Sequence, residues 1–367
     1  MDDARKAAGE IDGSAENPAP ELRLSVIVPA RNEAASLGAC LESLVAQSEL
    51  GFALGKQWEL IVVDDDSSDA TRQIALTAAA GRDGVQVLPA PALDLTDRGG
   101  FTGKTNACWF AAQRASGAWL LFTDADTVHE PGDLSRAIHE AQKYDADLLS
   151  YSPRQIVTGF WQRAVMPLVF SELATAYPPK QVSSPNSSVA AANGQFLLVE
   201  RDAYFAVGGH RVIGKEILED VALARAIKRA RYGLRFRYAP EALATQMYRT
   251  LPDMIEGWIK NLALLFASPF LMAAMLMVQF LLFFSLPILA MSLPVLVGWQ
   301  RAAILVVWLR ASWGFYNRVS RSHFPATDVA ISILGVPLFC WLLIRSSLQH
   351  RMTKSVGWKG RSYKVGR

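Results

Sequence analysis

From residue 24 to residue 151 short apolar runs alternate with longer stretches in which apolar positions recur every three or four residues. Runs of β-branched and aliphatic residues bounded by polar turns read as strands, and the three-to-four spacing reads as helix. The pattern predicts strands at 24–28, 59–63, 85–88, 119–122 and 147–151, with helices at 34–47, 69–80, 106–115 and 133–144 between them. Continuously apolar strands separated by helices imply an α/β fold of Rossmann-like type, a mostly parallel sheet with helices on both faces.

Beyond 151 the pattern loosens. Residues 160–177 form an amphipathic stretch carrying Trp161, Phe170 and Tyr177. It reads equally as a core helix or as a helix along a membrane surface or an acceptor groove. Asn193-Gly194-Gln195-Phe196 leads a further apolar run, and Gly208-Gly209-His210 makes a tight turn. A helix is expected over 216–231, containing Glu219-Asp220, and another over 251–266, carrying Glu256, Trp258 and Lys260.

The region after 266 is of a different kind. Residues 269–298 run without one charge, and a bilayer core needs about 20 apolar residues of helix, so a membrane span is expected there. A second apolar block, 302–309, follows Gln300 and Arg301, and a third, 329–344, contains Gly335 and Pro337; each reads as a tilted span or a re-entrant segment. This concentration accounts for a hydrophobic fraction of 51% and a mean hydropathy of +0.16. The chain is thus expected to divide into a flexible leader at 1–22, a globular domain at 23–266, a membrane region of two or more segments at 267–349 and a basic tail at 350–367.

Charge adds orientation. The leader has no apolar core of the kind a signal peptide carries. Arg345, Arg351, Lys354, Lys359, Arg361, Lys364 and Arg367 stand at the other end without an acid among them. Basic residues beside a span mark the cytoplasmic side and can rest on anionic lipid. With the basic stretch 310–321 they favour an even number of crossings, one block being re-entrant or interfacial. The expected place is therefore the cell membrane, multi-pass, with the globular domain in the cytoplasm. A net charge of only +3 and a basic arm set against a membrane segment argue against nucleic acid as a partner. Cys40, Cys108 and Cys340 show no metal-ligand spacing and fit a reduced compartment.

In a covered parallel sheet ligands lie outside the carboxyl ends of the strands. The first strand leads into Pro29-Ala30-Arg31-Asn32-Glu33, the second into Asp64-Asp65-Asp66-Ser67-Ser68-Asp69, and the fourth into Asp124-Ala125-Asp126. Helix capping explains Ser68 or Asp69, but three consecutive aspartates repel one another and call for a cation or for donors. Two carboxylates one residue apart at a strand end are either an acidic turn or hard ligands that hold a divalent cation against a diphosphate. No G-x-G-x-x-G follows the first strand, which excludes the dinucleotide-binding dehydrogenases.

Taken together, residues 26–33, residues 63–71, Asp124-Ala125-Asp126 and Glu219-Asp220 resemble, in order and spacing across about 240 residues, the family 2 glycosyltransferases. Within that family the chain is similar to membrane enzymes of hopanoid and carotenoid pathways, including the diaponeurosporenoate glycosyltransferases. Gly100-Phe101-Thr102-Gly103-Lys104, Met247-Tyr248-Arg249, residues 256–261 and residues 358–363 carry that narrower likeness. The resemblance implies a GT-A fold and an inverting transfer of sugar from a nucleotide-sugar donor, by analogy a UDP-sugar. By position, Pro29, Arg31 and Glu33 would line the nucleotide pocket, and Asp64 or Asp65 would accept hydrogen bonds from the base. Asp124 and Asp126 would hold Mg2+ or Mn2+ on the diphosphate, and Asp220 would be the general base with Glu219 beside it. Lys104 reads equally as a second positive contact to the phosphates and as a solvated surface lysine.

One departure bears on the acceptor. Processive members carry Q-x-x-R-W where this chain has Met254-Ile255-Glu256-Gly257-Trp258, so polymer synthesis is disfavoured. Trp258 would stack on a sugar or anchor the membrane entrance, and Lys260 would replace the missing arginine. The expected activity is transfer to a lipid or another hydrophobic hydroxyl or carboxyl compound at the cytoplasmic face of the membrane. The alternatives are a polyprenyl-phosphate sugar synthase or short polysaccharide synthase, and an inactive nucleotide-sugar-binding membrane protein.

Overall fold

A computed structural model of the chain describes residues 22–47, 49–93, 100–352, 355–358 and 361–364. The leader expected at 1–22 falls outside the described residues except for its last position. The first half alternates as its periodicity predicts, with one short strand, the fifth, added: β1 (Leu24–Ala30), α1 (Leu37–Val45), β2 (Trp58–Asp64), α2 (Thr71–Ala79), β3 (Val85–Pro89), α3 (Gly103–Ala112), β4 (Trp119–Phe122), β5 (Thr127–His129), α4 (Asp133–Lys143) and β6 (Leu148–Ser152). There follow β7 (Arg154–Gln155), α5 (Phe160–Ala176), α6 (Pro179–Val182), β8 (Leu197–Glu200), α7 (Arg201–Ala206), α8 (Gly209–Val212), α9 (Glu219–Arg229), β9 (Leu234–Tyr238), β10 (Leu243–Thr245) and α10 (Leu251–Leu265).

The central sheet has the order β3-β2-β1-β4-β8-β6-β9. All neighbours pair parallel except β8, which runs antiparallel to both β4 and β6. The sheet is therefore mostly parallel, with one reversed strand. Its two faces bury separate apolar layers, one including Val26, Val28, Leu41, Leu60 and Leu121, the other including Ile27, Ile61, Cys108, Leu120 and Leu223. Both faces of β1, β2, β4 and β6 are thus dry, which is why these runs read as continuous rather than alternating. A small second sheet, β5-β10-β7, lies beyond β4 and has no counterpart in the predicted elements, because two- and three-residue strands carry no periodicity.

The remainder is helical: α11 (Pro269–Ser292), α12 (Gly298–Val319), a 3-10 turn at Ser320–Ser322 and α13 (Ala326–Met352). A hairpin, β11 (Ser355–Trp358) with β12 (Arg361–Lys364), closes the described chain; the other positions of the basic tail beyond 352 lie outside the described residues. Only α11 and α13 among the described helices are long and apolar enough to cross a membrane. Helix α12 runs unbroken through Gln300, and it includes Arg301, Arg310 and Arg318. Most of the basic stretch 310–321 forms its last turns.

One expectation is corrected in α13, and α5 takes one of its two expected forms, the core helix. Gly335 and Pro337 do not break the third apolar block, since α13 continues through both. Gly335 instead permits contact: a Cβ there would stand 2.3 Å from the carbonyl oxygen of Ala164 on α5. Helix α5 itself buries Val165, Met166, Leu168 and Val169 in the same apolar cluster as Val336, Phe339 and Leu343 of α13, while Phe160 and Trp161 at its start stay exposed. An ion pair reinforces the joint, Arg163 with Asp328 at 2.7 Å, and a second, Arg318 with Glu172 at 3.2 Å, ties α5 to α12. Alanine is about 1 kcal/mol better than glycine in a helix interior, whereas overpacking costs about 1–3 kcal/mol. Gly335→Ala is therefore expected to lower the melting temperature of the detergent-solubilised protein; a rise would mean that propensity, not the α5–α13 contact, governs the position.

Candidate active site

Register brings the three polar clusters together. Ala30 pairs with Asp64 across β1–β2, and Ile27 with Phe122 across β1–β4, so the residues after each strand emerge along one edge. The Asp65 amide donates to the Ala30 carbonyl at 2.8 Å, and the Thr123 amide to that of Ile27 at 3.1 Å. Because β8 is reversed, its leading residues arrive at the same edge, Leu197 standing opposite Phe122. That reversal adds Asn193, Gly194 and Gln195 to the site, which reading strand ends alone does not find.

A cleft of about 580 Å³ opens there. Pro29, Arg31, Glu33, Asp65, Asp124 and Asp126 line one side, and Glu219, Asp220, Arg249, Lys260 and Asn261 another, with Lys104 and Gly194 also in its wall. The three consecutive aspartates sit in different surroundings, two buried and one exposed. Asp64 is buried and accepts from the Ser67 amide at 3.3 Å. Asp66, in the left-handed region at φ 57, is exposed, 3.6 Å from Arg31. Arg31 also donates to the Asp66 carbonyl at 2.8 Å. Of the two base-binding candidates, Asp65 and not Asp64 faces the cleft.

Lys104 joins the two halves of the site. It lies in the first turn of α3, whose N-terminus is capped by Thr102. Its Nζ stands 2.6 Å from Asp124 Oδ1 and 2.8 Å from Glu219 Oε1. Burial works against its charge, yet the two carboxylates carry its pKa well above the usual lysine range. Its two ion pairs set this lysine in the wall of the cleft, with about a third of its side chain exposed. Glu219, in the first turn of α9, is pushed up by burial, but the Lys104 ammonium more than offsets this and holds it below the usual range.

Asp220 is held by backbone donors. Its Oδ2 accepts from the Gly194 amide at 2.8 Å and its Oδ1 from the Val221 amide at 2.7 Å. Burial first, and then the negative charge of Glu219, raise its pKa to about 6. A carboxylate poised near neutrality is suited to accept a proton. Lys260 is pushed below the usual lysine range by burial.

Under the Asp124 loop lies a buried polar network. The Thr127 hydroxyl donates to the Asp124 carbonyl at 2.7 Å, and the Thr123 hydroxyl donates to the Gln195 carbonyl at 2.8 Å. His129 Nε2 is 3.0 Å from Thr123 Oγ1, and His129 Nδ1 is 2.8 Å from Asp133 Oδ2. Thr123, Thr127, His129 and Asp133 are all buried. They fix the loop from behind, as supporting groups do around ligating carboxylates. The pair His129 and Asp133, four residues apart just beyond the D-x-D, is the sequence signal that could have found this network.

Trp258 is not part of the cleft wall. Its ring is 3% exposed, packs edge-on against Phe170 and Tyr248, and donates its Nε1 hydrogen to Met166 Sδ at 3.3 Å. It is neither a stacking platform nor an interfacial anchor here. Lys260, on the other face of α10, does reach the cleft.

The comparisons with known proteins agree with this geometry. The family model for glycosyl transferase family 2 matches residues 25–220. A 4,4'-diaponeurosporenoate glycosyltransferase from Staphylococcus haemolyticus is 28% identical over 354 residues, covering 93% of this chain and 88% of the relative. One from Staphylococcus aureus is 26% identical, covering 94% and 89%. Among solved structures, the mannosyltransferase PcManGT from Pyrobaculum calidifontis, in complex with GDP-Man and Mn2+, superimposes with a TM-score of 0.51 at 17% identity over 92% of this chain and 90% of its own. With the matched family region spanning more than half of the chain and the fold shared along nearly all of it, this protein belongs to glycosyl transferase family 2 and is a glycosyltransferase of GT-A fold.

Proposed function

We propose that the protein transfers a sugar, with inversion at the anomeric carbon, from a nucleotide-sugar donor to a lipid-like acceptor at the cytoplasmic face of the cell membrane. One observation carries this reading: a single cleft lined by the D-x-D carboxylates, a cation and a backbone-anchored carboxylate of raised pKa. Pro29, Arg31, Glu33 and Asp65 bind the nucleotide, a UDP-sugar being the expected donor. Among the described residues no three His, Cys, Asp or Glu side chains cluster as a metal site. Two carboxylates suit a cation that takes its other ligands from phosphate and water, as Mg2+ does, so Asp124 and Asp126 would hold Mg2+ or Mn2+. When bound, such an ion offsets the charge that grows on the leaving diphosphate. Lys104 adds a positive charge on the same side, and Asp220 takes the acceptor proton with Glu219 setting its charge environment.

The acceptor side is the wall built by α10. Relatives named for diaponeurosporenoate act, by their names, on a carotenoid acid, and α10 leads directly into α11, which is apolar and mostly exposed. A hydrophobic alcohol or acid resting in the bilayer would enter along this wall, with Lys260 beside its reacting group. The catalytic domain is residues 23–266, and α11 with α13 fix it to the membrane in a multi-pass arrangement. Membranes holding the full chain, given labelled nucleotide sugars with Mg2+ or Mn2+, are expected to consume one donor and label a lipid-extractable product. If no donor is consumed with either ion, the transfer reading fails.

A further inference from the structure

The turn of α10 that carries Lys260 and Asn261 is held by a residue of α13. Ser346 is fully buried. Its hydroxyl accepts a hydrogen bond from the Ala263 amide at 2.9 Å and donates to the Ile259 carbonyl at 2.6 Å. These two backbone groups lie four residues apart and are each other's regular partners in an α-helix. A side-chain oxygen bonded to both bridges the turn, and a side chain entering the ladder is one of the few causes of a local bend in a helix.

The bridged turn sits at the cleft. Lys260 and Asn261 fall inside it, and both line the site. One turn further along α13, His350 Nε2 lies 2.9 Å from the Lys260 carbonyl, close enough to donate to it. The Oδ1 of Asn261 is buried and has no hydrogen-bond partner among the described residues. Cohesion between the helices does not require these polar contacts. Trp258, Leu262, Leu342 and Leu343 already pack in one apolar cluster there.

We propose that Ser346 is a positioning residue for the acceptor: by bridging the 259–263 turn it sets where Lys260 and Asn261 stand in the cleft. The wall that meets the acceptor is thereby tied to a helix apolar enough to lie in the membrane. This inference rests on the reading of the α10 wall as the acceptor side.

The test is Ser346→Ala in the full chain, reconstituted in nanodiscs. Removing one buried hydroxyl leaves a small gap, and the fold should survive. The Michaelis constant for the acceptor is expected to rise about tenfold, since small misplacements of positioning groups are worth one to two decades, while that for the donor stays within about twofold. An unchanged acceptor constant, or an equal rise for both substrates, would overturn the proposal. Hydrogen exchange supplies an arm that needs no donor. In the variant the Ala263 amide loses its buried hydroxyl acceptor, so exchange over 259–264 should change while the β1–β4 edge is unaffected. Identical exchange in the two proteins overturns the bridge itself. A wild-type protein that consumes no nucleotide sugar would sink the transfer reading and leave this second arm to decide the first.

Discussion

Asp124→Asn is expected to lower kcat/KM by about three orders of magnitude, some 4 kcal/mol of transition-state stabilisation. The substitution keeps the shape of the side chain, and the Thr127 hydroxyl still bonds the backbone carbonyl of this residue, so the loop should hold. What is lost is one of the two carboxylates available to a divalent ion. Lys104 loses its shorter ion pair, at 2.6 Å, and keeps only Glu219, at 2.8 Å. Titration of the variant with Mn2+ and a nucleoside diphosphate should show weakened binding of both, with the melting temperature little changed. Turnover within tenfold of wild type would remove Asp124 from the diphosphate site.

Asp220→Asn should leave donor binding intact and reduce transfer to an alcohol by about two to four orders of magnitude, the usual worth of a general base. Asparagine still offers one oxygen to the Gly194 or Val221 amide, so the N-terminal turn of α9 is preserved. The pH profile gives a second reading. A base works in its ionised form, and burial with the Glu219 charge places this carboxyl at about 6. Wild-type kcat/KM should therefore fall about tenfold per unit below that pH and be level above it, a limb absent from the variant. A carboxylic acid acceptor arrives already ionised near neutrality and needs little help from a base. Loss with an alcohol but about tenfold or less with a carotenoid acid would identify the acid as the natural class. Unchanged transfer to every acceptor would take Asp220 out of the base role.

How far the site is legible in the sequence depends on which contacts are local. The clusters after β1, β2 and β4 can be assigned to one edge because parallel strands necessarily bring their carboxyl ends together. The direction of β8 cannot be read, because Leu197-Leu198-Val199 is equally apolar in either orientation, and Gly194 is therefore not recognisable as the anchor of Asp220. Trp258 is a different case. Met254, Trp258 and Leu262 recur every four residues and are all buried, so helix periodicity alone places the indole on the inner face. The motif likeness draws it toward the cleft instead. Gly335 and Pro337 mislead for the opposite reason: both are helix breakers by propensity, and only the closeness of Ala164 explains the glycine.

The alternation of the longer strands and helices up to residue 151, the carboxylates at the strand ends and the apolar block after residue 266 were determined by the sequence alone, since each depends on periodicity or composition within one segment. Tertiary structure alone decided that Lys104 spans Asp124 and Glu219, that Asp65 rather than Asp64 faces the cleft, and that Ser346 enters the ladder of α10. Those contacts depend on side-chain directions to within a fraction of an ångström. Such directions are set by packing between segments far apart along the chain, which no local pattern encodes.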